Sequence, residues 1–323
     1  MERRLFRILL PLAPLFAVMV VIFLTAPPAV AQSEVQRALW VDLRAADSQC
    51  KISFVGGQGP LKFAGLTDAW EVKSLGGDLA TGDLRLQARA EGTAKLDVQV
   101  TGSPVNLSLF ARQCQILLQN WRADSSLNVA AGAVNITGKT AELNLWMSEG
   151  RAKFSQVSGD ILFVSDRAEL QAEGGSGRWD LQSQQGALNV QGFSGQVQMR
   201  LGQSTGTLKE VEGTQRLEIY RGVAILQSPK GQVFAQMEEG QLRATLGTND
   251  VQMQVRSERG KTNVNLNGKG AWLDLITKDG DLVPASLGLK RVAGDKVAKG
   301  RLTGSPSRTS VMVRSESGSV VVR

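Results

Sequence analysis

The chain has 323 residues, with 37 Lys+Arg against 30 Asp+Glu, two Cys, one Tyr and no His. Histidine is the usual general base, the usual partner of a nucleophilic Ser or Cys, and a common metal ligand, so its absence removes most hydrolase and transition-metal chemistry. A 42% hydrophobic and 21% charged composition excludes wholesale disorder, and carboxylate or lysine chemistry stays open beside no chemistry at all.

Residues 1–31 read as a signal peptide. Arg3, Arg4 and Arg7 precede an uncharged apolar stretch from Ile8 to Ala31, which closes on Ala29-Val30-Ala31, a small-x-small cleavage pattern with Gln32 as the new N-terminus. The other reading is a retained inner-membrane anchor, because about 24 apolar residues suffice to cross a bilayer with the arginines on the cytoplasmic side. Either way the remainder is exported, to the periplasm or cell surface of a bacterium. In such an oxidising compartment Cys50 and Cys114 are expected to form a disulfide, with two buried free thiols as the alternative. Two Cys without His do not complete a zinc shell, and no metal or cofactor is expected.

Residues 32–83 are less regular and carry Trp40, Phe54, Phe63 and Trp70, which predicts an N-terminal β cap. Across 84–285 apolar residues alternate with polar ones: Leu96, Val98 and Val100; Val105, Leu107 and Leu109; Leu143, Leu145 and Met147; Val197, Met199 and Leu201; Val251, Met253 and Val255. Alternation of period two puts one face of a strand in a core and the other in water. Glycines at 186, 195, 206, 213, 222, 231, 240 and 247 punctuate the segments at strand-plus-turn spacing. The fold class is therefore all-β. A β-solenoid (β-helix) of two or three strands per rung is preferred, since the pattern runs for about 200 residues with no helical segment; an antiparallel β-sandwich or meander is the alternative. Residues 286–308 form a basic linker with Lys290, Arg291, Lys296, Lys299 and Arg301, and 309–323 a terminal hairpin or last rung. From Gly288 onward eight basic residues stand against two acidic ones.

Val157-Ser158-Gly159-Asp160-Ile161, Ala168 to Glu173, Leu188-Asn189-Val190-Gln191-Gly192 and Leu208 to Gly213 resemble the bacterial adhesin-like β-solenoid repeat family with its Ser-Gly-Asp-Ile/Val turns. That resemblance implies an exported or anchored envelope solenoid and brings no catalytic residues. Arg221-Gly222-Val223-Ala224-Ile225 through Gly240-Gln241-Leu242 is similar to the periplasmic β-repeat of FecR-type regulators, although only seven residues precede the apolar segment here.

Gly202-Gln203-Ser204-Thr205-Gly206 matches G-x-S-x-G, but that motif needs a strand-to-helix elbow and a His, so a turn is expected. Asp274, Asp279 and Asp281 offer calcium-type oxygens and equally a Gly-centred turn. Glu238, Glu239, Asp83 and Asp160 sit on separate turns and name no glycosidase pair. Trp146 has the parity opposite Leu143, Leu145 and Met147, which makes it an exposed candidate for contact with a partner, while Trp179, Trp70 and Trp272 are expected in the core. The basic residues Lys290, Arg291, Lys296, Lys299 and Arg301 are candidates for an anionic lipid or polymer surface. Nucleic acid is not an expected partner, because no aromatic-basic interleaving accompanies the charge. The expectation is a non-catalytic envelope scaffold or adhesin-like binder of an envelope protein, glycan or anionic surface. The alternatives are a FecR-type signalling module and a carboxylate-based glycan enzyme.

Overall fold

The computed structural model describes residues 38–43, 50–66, 70–75, 83–88, 96–138, 141–247, 250–268, 270–283, 290–292, 295–302 and 308–323. Residues 1–31, read from the sequence as a signal peptide or anchor, lie outside the described residues.

Every regular element among the described residues is a strand. In chain order β1 (Ala38–Leu43) and β2 (Cys50–Gly56) come first, then β3 (Lys62–Ala64), β4 (Trp70–Leu75), β5 (Asp83–Ala88) and β6 (Leu96–Gly102). Three long strands follow, β7 (Asn106–Gln119), β8 (Ser125–Thr137) and β9 (Leu143–Ser183). Shorter ones alternate after them: β10 (Ala187–Gln191), β11 (Ser194–Leu201), β12 (Thr205–Lys209), β13 (Glu212–Ile219), β14 (Val223–Gln227), β15 (Lys230–Met237), β16 (Gln241–Thr245), β17 (Val251–Ser257) and β18 (Lys261–Asn265). The last are β19 (Ala271–Thr277), β20 (Leu282–Val283), β21 (Lys290–Val292), β22 (Asp295–Leu302), β23 (Ser310–Ser315) and β24 (Val320–Val322).

The alternating apolar residues behave as their period requires: Leu143, Leu145, Met147, Val197, Met199, Leu201, Val251, Met253 and Val255 are all buried. What stacks them is parallel pairing. On one face β10, β12, β14, β16 and β18 lie side by side, and on the other β11, β13, β15 and β17. Met199 pairs with Leu217 and Leu217 with Ala235, a step of 18 residues, whereas Ala235 pairs with Val255, a step of 20. A parallel ladder between strands two apart in sequence is a solenoid with two strands per rung. The antiparallel sandwich or meander is excluded for the body, because among the described residues antiparallel ladders occur only at the ends, in β3–β6, β4–β5, β19–β22 and β21–β22.

The core lies between the two faces. A side chain on Gly206 of β12 would run into Met199 and Leu201 of β11, which shows how closely the faces approach. Aromatics thread this interior: Phe154 meets Phe163 and Trp179 edge-on, with ring centroids 6.3 and 6.1 Å apart, and Trp179 tilts over Phe193 at 4.5 Å. Such edge-to-face pairs add to plain burial. One corner is a column of glycines: Gly159, Gly177, Gly195, Gly213 and Gly231 follow at the rung period with φ between +100° and +140°. A Cβ on any of the last four would collide with the carbonyl oxygen of the glycine one rung before it. The glycine punctuation in the sequence is thus both a backbone requirement and a packing requirement.

Both ends depart from simple winding in the same manner. β1 lies between β5 and β7, with Leu39 paired to Leu84 and to Leu107, and β2 lies between β6 and β7, with Ile52 paired to Val98 and to Ile116. The first rung in sequence is therefore second in space. The outer rung β5–β6 is edged by antiparallel β4 and β3. At the opposite end β23 lies between β17 and β19, and β24 between β18 and β20. Residues 310–322 thus form a rung that is last in sequence and next to last in space. Within the stretch read as a basic linker, β22 pairs antiparallel with β19 and β21 with β22, covering that outer edge. Covered or antiparallel edges stop a solenoid from recruiting further strands.

Cys50 and Cys114 form a disulfide, with Cα atoms 4.5 Å apart. The next residues, Lys51 and Gln115, are in register on β2 and β7, so the bond clamps the inserted first rung to the body. The alternative of two free thiols is excluded.

Candidate functional site

In a parallel solenoid residues one rung apart stack about 4.8 Å from each other, so outward residues form columns. On the face made by β10, β12, β14, β16 and β18 one column runs Gln171, Asn189, Thr207, Ile225, Arg243, Asn263. A second runs Glu173, Gln191, Lys209, Gln227, Thr245, Asn265. Nine of these twelve are Asn, Gln, Thr or Lys, which present amides, hydroxyls and ammonium groups at a fixed repeat.

Where the two columns begin, they flank a groove of about 370 Å³ lined by Lys153, Gln171, Glu173, Asn189, Gln191, Thr207 and Lys209, floored at Phe154, Ala172 and Val190. Its polar side chains are half-buried or exposed and face water. The chemistry on offer is hydrogen bonding from both amide ends, two ammonium groups and one carboxylate, the set that matches a hydroxyl-rich ligand.

The opposite face and the turns carry charge in rung-spaced pairs. Arg200 donates to Asp180 at 3.0 Å and to Glu218 at 3.1 Å; Arg221 reaches Glu239 at 3.1 Å and Lys230 reaches Glu212 at 2.7 Å, while on the groove-bearing face Arg151 reaches Glu169 at 3.3 Å. Arg167 also pairs with Glu149. Exposed pairs of this kind each contribute little stability, about 0–1 kcal/mol. Their consequence is that the carboxylates are already partnered.

The residues singled out from the sequence fall as follows. Ser204 is buried, its hydroxyl donates to the Ser183 carbonyl at 2.7 Å, and a strand follows it, so Gly202 to Gly206 is a turn. Asp274 is held by Arg314 at 3.2 Å and Lys299 at 3.6 Å, and Asp281 by Lys296 at 3.8 Å; they do not converge on one point. Glu238 and Glu239 both pair with Arg259. Among the described residues no three His, Cys, Asp or Glu gather as a metal would need.

Lys296 also donates to the Gly280 carbonyl at 2.8 Å, so Lys296 and Lys299 tie β22 to the outer rung, and Arg301 remains exposed opposite Trp272. Lys290 and Arg291 stand on β21, and their side chains lie outside the described residues. Trp146 is half-buried at an outward position of β9, in register with Asn128, which is in turn in register with the exposed Phe110. Trp179 is fully buried as expected, and the Trp70 side chain lies outside the described residues. Trp272 is a correction. Expected in the core, it is 51% exposed, because Ala271, Leu273 and Leu275 take the inward parity of β19.

The groove itself was not anticipated from the sequence. Its signal was present as polar residues repeating every 18 positions, but only a known rung length turns that spacing into a surface.

No protein-family model and no curated protein matches the chain. Among solved structures, a putative cell adhesion protein from Clostridium sporogenes aligns over 89% of this chain and 92% of its own, at 8% identity and a TM-score of 0.21.

Proposed function

We propose that the protein is a non-catalytic, exported cell-envelope solenoid that binds an extended hydroxyl-rich polymer, a glycan, along the face bearing the groove. The observation that carries this reading is the register of the two outward columns. They repeat hydrogen-bonding groups at a fixed spacing and begin at a concave site with Lys153 and Lys209 at its margins. A polymer with a periodic backbone is the ligand that makes use of periodic contacts. The Cys50–Cys114 bond supports an oxidising compartment.

The test is calorimetric titration of the protein with neutral and acidic oligosaccharides drawn from envelope polymers. Loss of two or three hydrogen bonds is worth about 1–3 kcal/mol. Asn189→Ala with Gln191→Ala should therefore weaken binding by about tenfold or more. Thr245→Ala, three rungs along the column from Gln191, should change affinity for a short oligosaccharide less than twofold. Unaltered affinity in the groove variant would contradict the proposal.

A further inference from the structure

We propose that the rung formed by residues 309–323 is exchangeable between copies, so that the slot it fills accepts the same segment from a second copy of this chain. The partner is the chain itself, and the interface is the pair of rungs on either side of the slot.

The slot has two complete walls. On one side Met253, Val255 and Ser257 of β17 pair with Val311, Val313 and Ser315, and on the other side those three pair with Leu273, Leu275 and Thr277 of β19. β24 is bracketed in the same way, Val320 standing in register with Thr262 and with Leu282. Turn contacts complete the fit: Glu316 N–H donates to Ser257 O at 3.0 Å, Asp279 N–H to Glu316 O at 2.8 Å, and Thr262 N–H to Ser319 O at 2.9 Å. Val311, Val313, Val320 and Val322 are fully buried between the walls.

The walls do not hold each other. Among the described residues no ladder joins β17 to β19 or β18 to β20; each is joined only through the inserted rung. If that rung leaves, two parallel edges are bared at once, the condition under which a sheet takes up a foreign strand. Every ladder bond in question runs between residues 309–323 and the walls. A segment from another copy would therefore make the same bonds, and exchange carries no loss of pairing.

Two further features mark this slot as a receiving site. The winding on either side is continuous without it: Gln232 pairs with Gln252, a step of 20, and Gln252 reaches Trp272 through Ser310, again 20 residues on. The inserted rung is an additional layer in an unbroken register. The equivalent inserted rung at the other end is bonded to the body by Cys50–Cys114, and those are the two cysteines of the chain, so no such bond holds residues 309–323.

Gln254 and Met312 are in register on adjacent strands and face outward, which suits a cross-link that leaves the core intact. Full chains carrying Gln254→Cys are mixed with full chains carrying Met312→Cys, warmed to just below the unfolding midpoint and oxidised. A chain carrying both substitutions serves as the reference for the seated rung. The expected result is a species of twice the monomer mass in which position 254 of one copy is bonded to position 312 of the other, and its loss when the rung is first locked within one chain by the double substitution. The proposal is overturned if the double variant closes its own bond while the mixture stays monomeric or yields only 254–254 and 312–312 links. It is equally overturned if the double variant fails to close, since the rung would then not occupy the slot in this register.

Discussion

The residues that decide this fold are glycines and inward aromatics. Gly195 has φ +140° and no room for a Cβ, whereas Gly268, in a turn, has φ +77° and open space around it. Both are left-handed positions, but only the first is also a stacking contact. Gly195→Ala should cost about 2–4 kcal/mol, strain and overpacking together, and Gly268→Ala about 1 kcal/mol. Urea unfolding of the two variants measures the contrast. The two largest buried side chains give a second contrast. Trp121 donates its Nε1–H to the Val105 carbonyl at 3.0 Å, while Trp179 Nε1 is buried with no hydrogen-bond partner. Each Trp→Phe change loses similar volume, but at Trp179 it also removes a polar group that folding leaves unpaired. Trp121→Phe should therefore be the more destabilising by about 1–3 kcal/mol, again read from urea midpoints.

Among the elements, the inserted rungs carry the ends. β1 and β2 are fastened by a disulfide that closes a sequence separation of 64 residues. On the chain-entropy model a loop of that size contributes about 4 kcal/mol. Cys50→Ser with Cys114→Ser should thus lower stability by about that amount, and because rungs contact only their neighbours the loss should be local. Hydrogen exchange should show protection falling in β1, β2, β5 and β6 while β11 to β16 keep theirs. Uniform loss over the whole body would mean that the ends and the middle fold as one unit. At the other end the same topology is held by ladders and by Arg314 and Lys299 on Asp274, with no covalent clamp.

For the whole molecule, period-two alternation and the Gly spacing were enough to read strands, an all-β class and a solenoid, because both are local consequences of a two-sided strand and a tight corner. The disulfide was legible from the N-terminal segment's resemblance to an export signal together with the cysteine count. Trp272 was misplaced because parity within a short strand is set by which neighbours, here Leu273 and Leu275, win the interior. The inserted rungs were not legible at all: the pairing of Ser310 with both Gln252 and Trp272 joins segments 58 and 38 residues apart, and no local pattern encodes it. The groove stayed hidden for a related reason, since its residues become neighbours only once the rung length is known.

The stacking order is open to one direct distance measurement. Arg178, Gln196, Thr214, Gln232, Gln252, Ser310 and Trp272 form one outward column in successive register, and Arg178 and Trp272 are exposed. Spin labels at positions 178 and 272 span six rung steps, about 29 Å at about 4.8 Å each. Pulsed electron resonance should return a narrow distribution near that value. A distance near about 24 Å, five steps, would show that residues 310–322 do not lie between β17 and β19 and would contradict the account.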